Sequence, residues 1–221
     1  MSKEKGRKRA NEEQQGGARR GFVKGTGLTA AGASIPDAGL LGASEGAAAA
    51  AAPEPKVLGP GRVGLSLRVN NQLRRVEVEP RTTLAEALRF DLGLTGTKVV
   101  CDRGSCSACT VWLDGTPVCS CMTLAVDVGA RDVTTIEGLA AKDDEHLHPV
   151  QEAFIEYDAM QCGYCTPGMI MSCAALLKRQ PNPTLEDVKT AVSGNLCRCG
   201  TYPKVFEATL SAARSGQRKG E

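Results

Sequence analysis

Hydrophobic and polar positions first fall into a regular order at Val63. Val63, Leu65, Leu67 and Val69 alternate with Gly64, Ser66 and Arg68, Asn70-Asn71 makes a turn, and Val76 and Val78 resume the alternation. That period of two predicts a β-hairpin with one buried face. Thr83 and Glu86 have capping-box spacing, and the apolar stripe of Leu84, Ala87, Leu88 and Leu92 stops at Gly93, so a short helix should cross the hairpin. Residues 110–113 and 116–118 flank Asp114-Gly115 and predict a second hairpin that places Trp112 in the sheet core; residues 133–136 predict a last strand. From His148 the period lengthens to that of helices. Val150, Phe154, Ile155 and Tyr157 mark a helix over 148–159, and Thr166, as N-cap ahead of Pro167, starts a second over 168–180. Thr184 caps a third that ends near Ser193, and Pro203 opens a fourth carrying Val205, Phe206, Leu210 and Ala213. The predicted class is α+β: a small sheet domain over 61–140, then a helical bundle over 145–213.

The first 60 residues carry no such pattern. A charged start to Ala18 gives way to Arg19-Arg20-Gly21-Phe22-Val23-Lys24, a weakly apolar Gly/Ala/Leu stretch to Leu41, and a run of alanines from Ala47 to Ala52 before Pro53. The paired arginine and the segment after it resemble a twin-arginine export signal, which implies a periplasmic protein that folds before it crosses the membrane. The other reading is a basic tail on a cytoplasmic protein, because adjacent arginines arise readily among 27 basic residues. On either reading residues 47–61 are a linker, and residues 1–60 are signal and linker on the first. No run reaches the roughly 20 apolar residues that a membrane span needs. A net charge of +2 argues against nucleic acid or another polyanion as partner.

Ten cysteines in 221 residues change the picture. In a secreted chain they would suggest a disulfide framework, and in a cytosolic one metal or redox chemistry. Cys101, Cys106 and Cys109 lie on the loop between the predicted helix and the second hairpin, and Cys121 follows on the far side of that hairpin. Four residues and then two separate the first three, which is the plant-type spacing for a 2Fe-2S cluster. Gly104, Ser105, Ser107 and Ala108 are small enough to bring backbone amides close to the sulfurs. Zinc sites prefer paired knuckles with two residues between the cysteines, so this run favours a cluster over zinc or a disulfide knot. The second set is Cys162-Gly163-Tyr164-Cys165 and Cys197-Arg198-Cys199, at helix ends that a bundle would bring together. A thioredoxin-like pair would need a strand before the motif and would leave Cys197 and Cys199 idle. Four thiolates there could hold another 2Fe-2S cluster or a zinc ion. Cys119 and Cys173 read as packing residues, and His146 and His148 as part of an exposed turn that caps a helix.

Three motifs then act together. Cys101-Asp-Arg-Gly-Ser-Cys106-Ser-Ala-Cys109-Thr-Val, Gln161-Cys-Gly-Tyr-Cys-Thr-Pro-Gly168 and Gly194-Asn-Leu-Cys-Arg-Cys-Gly200 resemble the small iron-sulfur subunit of the xanthine dehydrogenase/aldehyde oxidase family of molybdenum hydroxylases. The resemblance runs from about Val63 to Leu210 and fills all eight ligand positions: Cys101, Cys106, Cys109, Cys121, Cys162, Cys165, Cys197 and Cys199. It implies a β-grasp ferredoxin-like domain followed by a four-helix bundle, each with one 2Fe-2S cluster. The molybdopterin cofactor and the substrate would be held by a large partner subunit, with Gln161 and Cys199 contacting the pterin. Electrons would leave to FAD on a medium subunit or to a cytochrome. Where many members read Cys-Arg-Cys-Thr-Gly-Tyr this chain has Cys-Arg-Cys-Gly-Thr-Tyr, a variant that resembles exported and isoquinoline-oxidoreductase-like members and leaves aldehyde, purine and N-heterocycle open as substrates. A stand-alone two-cluster ferredoxin and a zinc-bound interaction module are the alternatives.

Overall fold

In the computed structural model, which describes residues 58–140 and 146–218, the alternating segment forms β1 (Val63–Val69) and β2 (Gln72–Val78), antiparallel and paired from Val63↔Val78 to Val69↔Gln72. The export-signal stretch lies outside the described residues. Asn70 and Asn71 close the hairpin at φ 51° and 63°, the left-handed pair that a two-residue turn requires and that Asn tolerates. Leu67, Val69, Val76 and Val78 are buried on one face while Arg68, Arg75 and Glu77 stay exposed on the other.

Across that apolar face lies α1, one α-helical turn (Leu84–Glu86) that runs into a π-helical turn (Ala87–Asp91). Its capping box is present: Glu86 N donates to Thr83 Oγ1 at 3.2 Å, and Thr83 N donates to Glu86 Oε2 at 2.8 Å. Two further strands, β3 (Thr110–Leu113) and β4 (Thr116–Cys119), turn at Asp114-Gly115 with φ 49° and 78°. With β5 (Asp132–Thr134) they complete a sheet in the order β2-β1-β5-β3-β4, parallel only where β1 meets β5. The last strand is shorter than its apolar run predicts. Asn70 Oδ1 accepts from Thr135 N and Asn70 Nδ2 donates to Thr135 Oγ1, and the chain turns into a single 3-10 turn at Ile136–Gly138.

The second half comprises α2 (Pro149–Glu156), α3 (Thr166–Arg179), α4 (Leu185–Ala191) and α5 (Tyr202–Arg218). Helix α2 packs on α5, α4 on α5 and α3, and α3 also lies against β3 and β4. Among the described residues no helix is long and apolar enough to cross a membrane.

Two sequence expectations need correction. Trp112 does not belong to the sheet core. Val111 and Leu113 point into that core, whereas Trp112, on the opposite face of β3, is buried among Val150, Phe154, Met169, Met171 and Val205 of the helices. Its Nε1 donates to Met171 O at 3.0 Å and Lys178 Nζ sits 5.5 Å from the ring centroid. Period two says which residues share a face, but a face with one large apolar residue between Val111 and Leu113 gave no sign that a helix covers it. Thr166 is not the N-cap of α3; Cys165 holds that position and Thr166 is the first helical residue.

The helix-capping expectation for His148 is met. Its Nδ1 accepts from Val150 N at 3.2 Å and Gln151 Oε1 accepts from His148 N at 3.0 Å. Burial pushes the His148 pKa below its ordinary 6.5, with Glu152 opposing in part. The cap works only with a neutral ring, so its contribution is complete above pH 6.5 and is lost as pH falls from there through the folded-state value. His148→Ala should cost about 1 kcal/mol at pH 8. His148→Asn should keep the cap and remove its pH dependence, as chemical unfolding at pH 8 and at pH 5.5 would show.

Candidate metal centres

The first cysteine loop is shaped by backbone that turns the wrong way for most residues. Asp102, Gly104 and Ser107 have φ 52°, 71° and 52°, so the chain between Cys101 and Cys109 curls and its amides face inward. The backbone amide of Arg103, helped by those of Ser105 and Cys106, holds the Cys101 thiol at about 7 against the effect of burial. Gly104 N donates to Cys121 Sγ at 3.4 Å. Burial pushes Cys106 and Cys109 up. Cys101 meets Cys106, and Cys109 meets Cys121 and also Cys119.

The second set behaves in the same way. Cys162 and Cys165 end the connection before α3, and Cys197 and Cys199 lie on the turn between α4 and α5. Cys165 meets Cys197 and Cys199 meets Cys162. Burial, reinforced by the neighbouring Cys197, raises Cys165 to about 12. Burial would raise Cys197 too, but the Thr201 hydroxyl, 3.3 Å from its sulfur, and the Thr201 amide outweigh it and bring the thiol to about 7. Tyr202 fixes this turn: its hydroxyl accepts from Cys197 N at 2.8 Å and donates to Asn195 O at 3.0 Å.

These features fit an iron-sulfur core better than a single ion. All ten cysteines are free thiols, so no disulfide competes for the eight. Thiols grouped as two pairs per site suit a core with two metal atoms, each taking two sulfurs. Thr166 Oγ1, next to Cys165, is buried with no hydrogen-bond partner, a donor free for an inorganic sulfide or thiolate.

The remaining candidates are placed as follows. Gln161 is exposed. Cys119 is half-buried beside the first quartet, with Ser107 Oγ at 3.6 Å, and burial raises its pKa. Cys173 is fully enclosed in α3 and burial raises it to about 12. Cys119 also meets Cys109, whereas Cys173 lies away from both sets with Thr209 beside it. Sequence reasoning missed Asn195, Tyr202 and Gly168. Gly168 gave a faint signal, since glycine in the first turn of a helix otherwise costs stability.

Residues 67–140 match the model of the 2Fe-2S iron-sulfur cluster binding domain and residues 135–210 that of the 2Fe-2S binding domain. Fold and thiol pairing together therefore define a protein with two 2Fe-2S clusters. The aldehyde oxidoreductase iron-sulfur-binding subunit PaoA of Escherichia coli O157:H7 is 41% identical over 210 residues, covering 88% of this chain and 87% of its own. The nicotine 6-hydroxylase small subunit of Paenarthrobacter nicotinovorans is 48% identical over 151 residues, 68% of this chain and 90% of its own. The crystal structure of quinoline 2-oxidoreductase from Pseudomonas putida 86 superposes with a TM-score of 0.67 at 40% identity, over 71% of this chain and 97% of that one. The chain belongs to the family of iron-sulfur small subunits of the molybdenum hydroxylases, and is thus a component of an oxidoreductase.

Proposed function

We propose that this subunit carries electrons from a molybdopterin centre on a large partner subunit, where an aldehyde or an N-heterocycle is oxidised, to FAD on a further subunit or to a cytochrome. The observation that carries this reading is the pairing of eight thiols in two separate sites. Each 2Fe-2S cluster, when bound, stores and releases one electron. Cys101, Cys106, Cys109 and Cys121 hold the first, on a β-grasp domain over 61–140. Cys162, Cys165, Cys197 and Cys199 hold the second, on a four-helix bundle over 145–213. The chain's own part is to enclose both cores, supply amide and hydroxyl hydrogen bonds to the sulfurs, and leave one edge of each site open to a partner.

Around the second site that edge is apolar. Met160, Tyr164 and Leu196 are 43%, 61% and 57% exposed; the first two flank the exposed Gln161 and Cys162 in sequence, and Leu196 directly precedes Cys197. Large apolar side chains left bare beside a redox site favour a subunit of a complex over a stand-alone carrier. Purification of the native assembly distinguishes the two: a large molybdopterin-containing chain should co-purify, and a lone monomer would favour the carrier. Within the complex, Gln161 and Cys199 are read as contacts to the pterin. Gln161→Ala should leave both clusters assembled yet slow their reduction by substrate between a few-fold and about a hundredfold, the scale of a lost buried hydrogen bond of roughly 1–3 kcal/mol. Dithionite should still reduce both clusters, and unchanged rapid-mixing kinetics would remove Gln161 as a cofactor contact.

Residues 1–60 are read as a twin-arginine signal and linker that take the loaded subunit to the periplasm. The reading rests on the Arg19-Arg20 pair and the weakly apolar Gly/Ala/Leu stretch that follows it. Arg19→Lys with Arg20→Lys should keep the complex in the cytoplasm on cell fractionation, because lysine lacks the guanidinium fork. Wild-type protein found only in the cytoplasm would make the arginine pair incidental.

A further inference from the structure

The two cysteine sites are joined by a seam that none of their ligand roles explains. Leu196 N donates to Cys106 O at 3.1 Å, and Leu196 is bonded directly to Cys197. Asn195, polar yet only 3% exposed, donates from Nδ2 to Ser107 O at 3.1 Å, one residue along the opposite strand of the seam. The backbone carbonyl of Asn195 accepts from Tyr202 Oη, which in turn accepts from Cys197 N. Gly168, at the start of α3, presses on the same loop: a Cβ there would lie 2.2 Å from Ser107 O and 3.0 Å from Ala108 Cα. Gly194 completes the contact, with the place of its Cβ 3.4 Å from Ser107 Oγ. A polar side chain buried this deeply between two redox sites, and a glycine with no room for a methyl group, mark a distance that the fold holds short.

We infer that Asn195 is a positioning residue for electron exchange between the two sites, holding the Cys106 C=O···H–N Leu196 hydrogen bond as a bonded route from Cys197 to Cys106. The inference rests on the reading that each quartet holds a 2Fe-2S cluster. With a cluster held at each site, the Cys197 and Leu196 backbone and this one hydrogen bond would connect the Cys197 sulfur to Cys106, and the electron that leaves the helical side would be the one gained on the sheet side. No proton moves and no covalent bond forms or breaks. Asn195 does not carry the electron. With its donor gone, Ser107 O loses its tie to the turn of the second site and the Leu196 to Cys106 bond is free to lengthen.

The test uses the assembled complex. Flash photoreduction with a deazaflavin delivers single electrons, and cluster absorbance then follows their redistribution between the two sites. Asn195→Ala and Gly168→Ala should each slow redistribution several-fold and narrow the spin-spin splitting between the clusters in the dithionite-reduced protein, with both paramagnetic signals at full intensity. A purely structural role would lower signal intensity or stability and leave redistribution in the loaded fraction unchanged. Where either variant fails to load, Tyr202→Phe removes only the hydroxyl between Cys197 N and Asn195 O and should slow redistribution more mildly. Wild-type rates and splitting in the loaded variants overturn the inference. Absence of two 2Fe-2S signals in the wild-type complex would instead overturn the reading on which it rests.

Discussion

Cys121→Ser removes one of the two 2Fe-2S paramagnetic signals of the reduced complex and leaves the other at full intensity. Cys121 is buried, contacts Cys109, and accepts from Gly104 N at 3.4 Å, so its sulfur already sits in an amide-lined position of the first site. A serine oxygen is shorter in reach and harder than thiolate, and soft iron-sulfur cores select sulfur. The second quartet is built from other elements and keeps its four thiols. Cys119→Ser is the necessary partner experiment, because Cys119 also lies within the influence of Cys109 and Cys101. Its contacts are Ser107 Oγ at 3.6 Å and Gly104 O at 4.0 Å, the surroundings of a packed thiol. Both signals should survive in that variant. If Cys119→Ser is the change that abolishes a signal, the quartet has been drawn with the wrong cysteine.

Local order was legible in the chain wherever one residue's role depends on near neighbours. The Asn70-Asn71 and Asp114-Gly115 turns, the Thr83/Glu86 box, the Thr184 cap and the ends of β1 and β2 follow from sterics and hydrogen bonds over a few residues. The cysteine spacings were legible for the same reason, since a metal core fixes how far apart its ligands sit along a curled loop. What could not be read was the meeting of distant segments. Nothing near Trp112 in sequence says that Met171 will accept its N–H, and nothing near Asn195 says that its amide will reach Ser107. The one-residue error at Thr166 has a local cause. Thr before Pro is a common cap, but Cys165 must present its sulfur to Cys197, so the chain enters α3 at Cys165 and leaves the Thr166 hydroxyl buried without a partner.

Trp112→Ala should produce a large loss of stability. The indole is 7% exposed, fills the space between β3 and α3, and is the single tryptophan of the chain. Its removal leaves a cavity in the helical core and strips Met171 O of its donor, a combination worth about 3–5 kcal/mol for a buried aromatic. Against a domain stability of roughly 5–15 kcal/mol, that is enough to bring the protein close to unfolding at moderate temperature. Trp112→Phe separates the two contributions. It retains much of the ring and its contact with the helices but offers no N–H, so it should cost on the order of 1–3 kcal/mol, the penalty for one unsatisfied buried carbonyl. Chemical unfolding of the cluster-loaded protein, followed by circular dichroism, measures both. In the wild type the emission of Trp112 gives a second readout from the seam itself: sheet and helices that unfold as one body should give a fluorescence transition coincident with the loss of helix. A Trp112→Ala cost below about 1 kcal/mol would fall in the range of an ordinary surface substitution and would show that the indole does not hold the helices to the sheet.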